Sequence, residues 1–120
     1  MPNLQVLSLY VPDLPAALTF YRDVLGFAVE AEYGPEIVQL KHDGVALILC
    51  ACATATRPAY PTAAQAVPGL GIADAAAELA RLRGLGADLV FDAVQPFPMG
   101  VFIAVRDPGG NVIELLQFNA

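Results

Sequence analysis

VPDLPAALTFYRDVLGF (residues 11–27) and IADAAAELARLRGLGAD (residues 72–88) determine the architecture, because they are two copies of one pattern. When they are aligned, Asp13 falls on Asp74, and each Asp stands where a helix N-cap accepts hydrogen bonds from free backbone N–H groups. The first copy places apolar residues at the spacing of one helical face: Leu14, Leu18, Tyr21 and Leu25. Each Asp is therefore predicted to precede a helix of about three turns.

Strand-like stretches precede and follow both predicted helices. In the first half, turn signals at Gly34-Pro35 and Asp43-Gly44 separate three stretches rich in β-forming residues: 27–33, 36–42 and 45–52. The second half gives three more, with residues 107–110 as the last turn: 87–93, 100–106 and 111–118. Each half therefore reads β-α-β-β-β. Residues 53–66, rich in Ala, Pro and Thr, read as a linker, and residues 94–99 read as a second loop.

Length and composition favour one folded domain. A chain of 120 residues, 57% hydrophobic and 15% charged, is predicted to form a single domain over residues 1–120. Its parts are module 1 at approximately 4–52, the linker at 53–66, and module 2 at approximately 67–118. The net charge of −6 repels phosphate backbones, so no nucleic acid partner is expected. Since no run approaches the roughly 18 to 20 apolar residues of a spanning helix, and no signal peptide is apparent, a cytoplasmic protein with no membrane partner is expected.

The cysteine and histidine content limits the possible chemistry. Cys50 and Cys52 share one face of a predicted strand and are interpreted as two buried thiols, or alternatively as a reactive or soft-metal pair. His42 is the single histidine and lies at a predicted hairpin turn, where an exposed imidazole is expected. With one histidine, Ser-His-Asp triads, Cys-His dyads and multi-histidine metal sites are hard to build.

Two βαβββ modules, with FYRDVLGF closing the first helix and DPGGNVIELLQF ending the sequence, resemble the vicinal oxygen chelate superfamily. This superfamily includes glyoxalase I, extradiol dioxygenases, fosfomycin-resistance enzymes and bleomycin-resistance proteins. The resemblance runs from Leu4 to Phe118 and implies an α+β fold of two tandem βαβββ modules. It also implies that the modules form a curved mixed sheet and a cleft, and that a chain of this length forms a homodimer.

The resemblance also implies where a metal would be held in the family's metalloenzymes. The four ligand positions fall on Val6, Ile48, Val67 and Glu114, and only Glu114 carries a donor side chain. A catalytic divalent site generally needs three protein ligands. The sequence therefore predicts no bound metal and no cofactor.

Alternation along the strands, started from those four positions, predicts which residues face the cleft. The cleft is expected to be apolar, with aromatic side chains that suit a planar ligand. The predicted ligand-binding residues on the strands are Ser8, Tyr10, Ile48, Cys50, Phe102, Glu114 and Phe118, and the loops add Tyr60 and Phe97. Each aromatic residue has an alternative interpretation as part of the core or of a dimer interface.

Glu114 is the one acidic residue predicted in this apolar wall. A carboxylate buried there needs a hydrogen-bond partner or has a raised pKa, because desolvation disfavours its charged form. In a functional role it accepts a hydrogen bond from a ligand N–H group or acts as a general base. In a structural role it pairs with Arg106 or with a backbone donor.

The leading functional hypothesis is a metal-independent small-molecule binding protein, similar to the bleomycin-resistance branch. It would sequester an amphipathic or aromatic compound, such as an antibiotic, in a cleft at a dimer interface. The first alternative is a metal-free isomerase, cyclase or lyase of the same superfamily, with Glu114 as its catalytic residue. The second alternative is a metal-dependent lyase or dioxygenase with an unusual site.

Overall fold

The chain folds as two compact units in the computed structural model, which describes residues 1–119. Unit 1 comprises Met1–Thr56, and unit 2 begins at Arg57. The second part of the predicted linker, from residue 57 onward, therefore folds with unit 2. The single-domain interpretation and its module bounds stay predictions.

Unit 1 is a four-stranded mixed sheet with one helical segment. Its elements are β1 (Val6–Val11), α1 (Leu14–Leu18), a π-helical segment (Thr19–Val24), β2 (Ala28–Glu32), β3 (Ile37–Lys41) and β4 (Ala46–Ala51). The strand order is β1-β4-β3-β2, and β1 runs parallel to β4 while the other pairs are antiparallel.

Unit 2 repeats this plan with one additional strand. Its elements are β5 (Gly69–Gly71), α2 (Ala75–Gly84), β6 (Asp88–Leu89), β7 (Gln95–Phe97), β8 (Gly100–Arg106) and β9 (Val112–Phe118). The strand order is β5-β9-β8-β6, with β7 also paired to β8, and β5 runs parallel to β9. The predicted α+β fold of two βαβββ-like mixed sheets is confirmed.

Both helices begin as the sequence predicts. The side chains of Asp13 and Asp74 accept hydrogen bonds from the backbone N–H groups of Ala16 and Ala77, at 3.1 and 3.0 Å. The first helix differs from expectation in its second part, which widens into the π-helical segment. Within residues 1–119, neither helix has the length and apolar character needed to cross a bilayer.

One face of each sheet is packed against its helix. In unit 1 the buried strand residues alternate with exposed or half-buried ones, and the buried set is Leu9, Val11, Val38, Leu40, Leu47 and Leu49. In unit 2 the set packed on the helix side includes Ile103, Val105, Ile113 and Leu115. This alternation agrees with the predicted faces of β1 and β4, and with that of β9 from Ile113 onward, whereas Val112 is buried although it was predicted to face the cleft. An open face is left on each sheet.

A tight turn joins β8 to β9. The buried carboxylate of Asp107, only 3% exposed, accepts hydrogen bonds from the backbone N–H groups of Gly109 and Asn111, each at 2.9 Å. The backbone N–H of Gly110 donates to the Asp107 carbonyl at 3.0 Å. The predicted turn at residues 107–110 is thus confirmed, and it fixes the register in which β8 and β9 pair.

The predicted elements of residues 87–99 differ from the structure. The expected strand 87–93 shortens to β6, and the expected loop 94–99 contains β7. Pro96 lies in the middle of β7, which pairs with β8 alone, and a proline is tolerated on such an edge strand because its missing N–H is not needed there.

Candidate functional site

The candidate site lies on the open face of unit 2, the face of its sheet turned away from α2. The side-chain Oε1 of Gln117 accepts a hydrogen bond from the backbone N–H of Ala75, the first residue of α2, at 2.8 Å, so Gln117 points to the helix. Alternation then places Glu114, Leu116 and Phe118 on the opposite face.

A row of five aromatic rings crosses this region. The rings meet edge to face in the order Tyr60, Phe91, Phe102, Phe97 and Phe118, with centroids 5.7–6.0 Å apart. All except Phe118 are half-buried, and Phe118 is 52% exposed. We call this set the aromatic row. Partly exposed rings beside a few polar groups are typical of small-molecule sites.

Glu114 and Tyr60 form a direct hydrogen bond at one end of the aromatic row. The Tyr60 hydroxyl donates to Oε2 of Glu114. Burial of the phenol, followed by its hydrogen bond to the carboxylate, raises the pKa of Tyr60 above its ordinary value. Tyr60 therefore keeps its proton at neutral pH and acts as a donor rather than as a base.

Tyr60 belongs to a loop segment, residues 57–60, that is tied to the sheet by two arginines. Arg57 makes a paired contact with the carboxylate of Asp88 on β6, at 2.7 and 3.2 Å. Arg106, on β8, donates to the carbonyl oxygens of Pro58 at 2.9 Å and Gly110 at 3.1 Å. We call residues 57–60 the anchored segment, since these contacts fix its first two residues, which directly precede Ala59 and Tyr60.

The structure selects one partner for Glu114 among the alternatives drawn from the sequence. Among the residues that the structure describes, no ion pair joins Arg106 to Glu114. Arg106 instead donates a hydrogen bond to the carbonyl oxygen of Pro58 in the anchored segment, and the Glu114 carboxylate accepts one from the Tyr60 phenol. The structural interpretation in which Glu114 pairs with Arg106 is therefore wrong.

The side chains present do not fit a divalent metal of the kind that the sequence resemblance implies. Three of the four positions carry the hydrocarbon side chains of Val6, Ile48 and Val67, which offer no donor atom. Across residues 1–119, no three His, Cys, Asp or Glu side chains are grouped as metal ligands. Glu114 alone supplies one carboxylate, which is fewer than the three ligands typical of a catalytic site.

The predicted site residues of unit 1 lie on the open face of its own sheet. Ser8 pairs with Ile48, and Tyr10 pairs with Cys50, across β1 and β4. Tyr10 is 58% exposed, whereas Ile48 and Cys50 are half-buried. Their assignment as ligand-binding residues stays a prediction.

Phe91 is the site residue that sequence reasoning did not single out. It was expected inside a regular strand, but it follows the short β6 and places its ring between Tyr60 and Phe102. The one feature of the sequence that could have identified Phe91 is its aromatic side chain. The predicted aromatic residues Tyr60, Phe97, Phe102 and Phe118 are brought together in one row.

A shallow depression of about 360 Å³ lies elsewhere, at the start of α2. Its charged groups are already engaged, because Asp74 caps the helix and Glu78 pairs with Arg81. We therefore place the candidate site on the aromatic row rather than in this depression.

Comparison with known proteins agrees with this architecture. Residues 3–115 match the Glyoxalase/Bleomycin resistance protein/Dioxygenase superfamily. The chain belongs to this superfamily. No curated protein sequence matches it significantly.

Several solved structures share this fold. TnmS3, an antibiotic binding protein from Streptomyces sp. CB03234, is 28% identical with a TM-score of 0.75, and the match covers 99% of this chain and 98% of TnmS3. Lactoylglutathione lyase from Agrobacterium tumefaciens is 24% identical with a TM-score of 0.73, over 96% and 92% of the two chains. The fosfomycin resistance protein FosX from Listeria monocytogenes is 15% identical with a TM-score of 0.76, over 99% and 95%.

Proposed function

We propose that this superfamily member is a metal-independent small-molecule binding protein that sequesters an amphipathic or aromatic compound, such as an antibiotic. The observation that carries the proposal is the aromatic row, which offers apolar ring surface beside the single carboxylate of Glu114. The similarity to TnmS3, an antibiotic binding protein, supports the same ligand class. We further propose that the protein acts as a homodimer.

A second candidate function rests on the Tyr60–Glu114 pair. A carboxylate and a protonated phenol in contact supply the groups that a metal-free isomerase, cyclase or lyase uses to move protons. In that reaction Glu114 acts as the base and Tyr60 as the donor. Product formation separates this function from binding alone, since a binding protein returns its ligand unchanged.

Binding is tested by thermal unfolding in the presence of planar aromatic and amphipathic compounds. A ligand that binds only the native state adds about 2.7 kcal/mol of stability at a hundredfold excess over Kd. For a domain of 120 residues, the melting temperature should then rise by roughly 10 °C. No rise with any member of a broad compound panel would contradict the proposal.

A pair of glycine substitutions locates the ligand. Gly71 lies beside Leu116 on the open face of unit 2, and a Cβ there meets nothing within 4 Å. Gly71→Leu should abolish the thermal shift by filling ligand volume. Gly84→Leu is the matched control, because Gly84 lies in α2 and also has open space around a Cβ. A shift that survives in Gly71→Leu would place the ligand elsewhere.

A further inference from the structure

Glu114 lies between two small neighbours in the sheet. Across the strands it pairs with Gly69 of β5 and Ala104 of β8, neither of which has a side chain beyond Cβ. The polar group that covers the carboxylate therefore comes from outside the sheet, from Tyr60 in the anchored segment. Because the group that covers the carboxylate is a loop side chain, Tyr60 can rotate away from Glu114 without a change in any strand.

The carboxylate of Glu114 has a neutral partner, Tyr60, although two arginines contact the segment that carries this partner. Arg57 is engaged by Asp88, and Arg106 is engaged by the carbonyls of Pro58 and Gly110. Within residues 1–119, no Lys or Arg side chain pairs with Glu114. A cationic N–H donor would form a stronger hydrogen bond with this carboxylate than a phenol does, because both partners would then be charged.

The surroundings of the pair also favour a cation. Phe91 packs against Tyr60, and Phe102 packs against Phe91, so aromatic rings lie next to the carboxylate. The faces of aromatic rings attract cations. The net charge of −6 raises the local concentration of positively charged ligands at the protein surface.

Resting on the proposed function, we propose that the ligand is an alkylamine that carries an aromatic ring system and whose ammonium group replaces the Tyr60 hydroxyl on Glu114. Its ring system packs on the aromatic row, and Tyr60 holds the carboxylate until the amine arrives. Arg57 and Arg106 keep the backbone of the anchored segment in place, so the exchange needs movement of the Tyr60 side chain and not of the sheet. Tyr60 thereby sets the specificity for a ligand that donates hydrogen bonds.

The test compares ligands that differ only in the group offered to Glu114. The probes are naphthylmethylamine and naphthylmethanol, with the corresponding anthracene pair, and affinity is measured by calorimetry. The amine should bind about tenfold more tightly than the alcohol. Glu114→Gln should bring the two affinities together, because the amide keeps the shape of the side chain and loses its charge.

Tyr60→Phe tests the replacement itself. It keeps the ring in the aromatic row and removes the competing hydroxyl, so the affinity for the amine should rise by about two- to tenfold. Tyr33→Phe is the matched control, since the Tyr33 hydroxyl donates to Gln39 within unit 1. Its affinity for the amine should equal that of the unmodified protein.

A measurement of ligand binding on the unmodified protein needs a variant only to assign one NMR signal. The chain has four tyrosines, so NMR of protein with labelled tyrosine rings gives four signals, of which one is lost in Tyr60→Phe. The amine should move the Tyr60 signal, and the alcohol should not. Equal affinities for amine and alcohol, or an unmoved Tyr60 signal, would overturn the amine inference and leave the proposed binding function intact. If none of the probes binds, the amine inference fails, and the proposed binding function fails only if the broad compound panel also gives no thermal shift.

Discussion

The burial of the Tyr60 phenol and its hydrogen bond to Glu114 make the stability of the protein sensitive to alkaline pH. The folded protein holds the Tyr60 proton more tightly than the unfolded chain, because the pKa of Tyr60 is raised in the fold. Its contribution to the free energy of unfolding is complete below the ordinary tyrosine pKa of about 10, and it falls as the pH rises above that value. Urea unfolding of the protein and of Tyr60→Phe should show a stability difference that shrinks above about pH 10.

Glu114→Gln separates the two causes of this pH dependence. The substitution removes the carboxylate and leaves the phenol buried, and burial is the larger cause of the raised pKa. The alkaline loss of stability attributable to Tyr60 should therefore become smaller without disappearing. A difference between the protein and Tyr60→Phe that stays constant across the whole pH range would contradict the assignment.

Sequence reasoning identified Tyr60 and Glu114 separately and did not pair them. They are 54 positions apart, and Tyr60 lies in a segment without periodicity, so no alternation rule relates the two side chains. The partner of Arg106 was unpredictable for a similar reason, because it is the backbone carbonyl of Pro58 in the same segment. Strand residues follow a period, whereas loop side chains are placed by tertiary contacts.

The pairing of β8 with β9 depends on a glycine. A Cβ on Gly100 would lie 2.0 Å from the backbone oxygen of Gln117, and backbone in a paired strand cannot move aside as a flexible side chain can. Gly100→Ala should destabilise the protein by about 1–3 kcal/mol, or more if the strands separate. Denaturant unfolding measures this loss.

Gly71→Ala is the control for that substitution. Gly71 lies in β5, and an added Cβ there meets nothing within 4 Å. The change in its free energy of unfolding should stay within about 0.5 kcal/mol. Equal destabilisation by the two alanines would show that loss of glycine, rather than collision with Gln117, is responsible.

The long strands were predictable because several signals agreed on them. β8 occupies the predicted range, and β9 begins one residue later than predicted, since both carry β-forming residues on either side of a strong turn. β7 was not predicted, because its proline argued against a strand. The predicted strand at β6 was too long, because apolar residues continue after the last residue of β6 that pairs with β8. The length and position of an edge strand depend on where its single neighbouring strand can pair with it, and the local sequence does not contain this information.

The molecule as a whole exposes apolar surface on the open face of unit 1. Tyr10 and Ile37 both pair with Cys50 across the sheet and are 58% and 38% exposed, and Val6 at the start of β1 is 46% exposed. Monomeric proteins rarely expose large contiguous apolar patches. Covering this face with a second copy gives a two-fold symmetric dimer, and light scattering at micromolar concentration should give the mass of two chains.

A charged substitution tests this interface. Ile37→Glu should yield the mass of one chain, because a buried unpaired carboxylate is costly at an interface. Leu85→Glu should leave the dimer intact, since Leu85 is similarly exposed but follows α2 in unit 2. A single-chain mass for the unmodified protein would rule out the dimer.

The central position of β9 has a consequence for biosynthesis. β9 is synthesised after β5 and β8 and yet lies between them, just as β4 is the last strand of unit 1 and lies between β1 and β3. On the ribosome, all the strands of unit 1 are available once β4 has emerged. In unit 2, β5 and β8 have unpaired edges, which are prone to mispairing, until Val112–Phe118 has emerged from the ribosome. The nascent chain therefore passes through a period in which one sheet can be complete while the other lacks its middle strand.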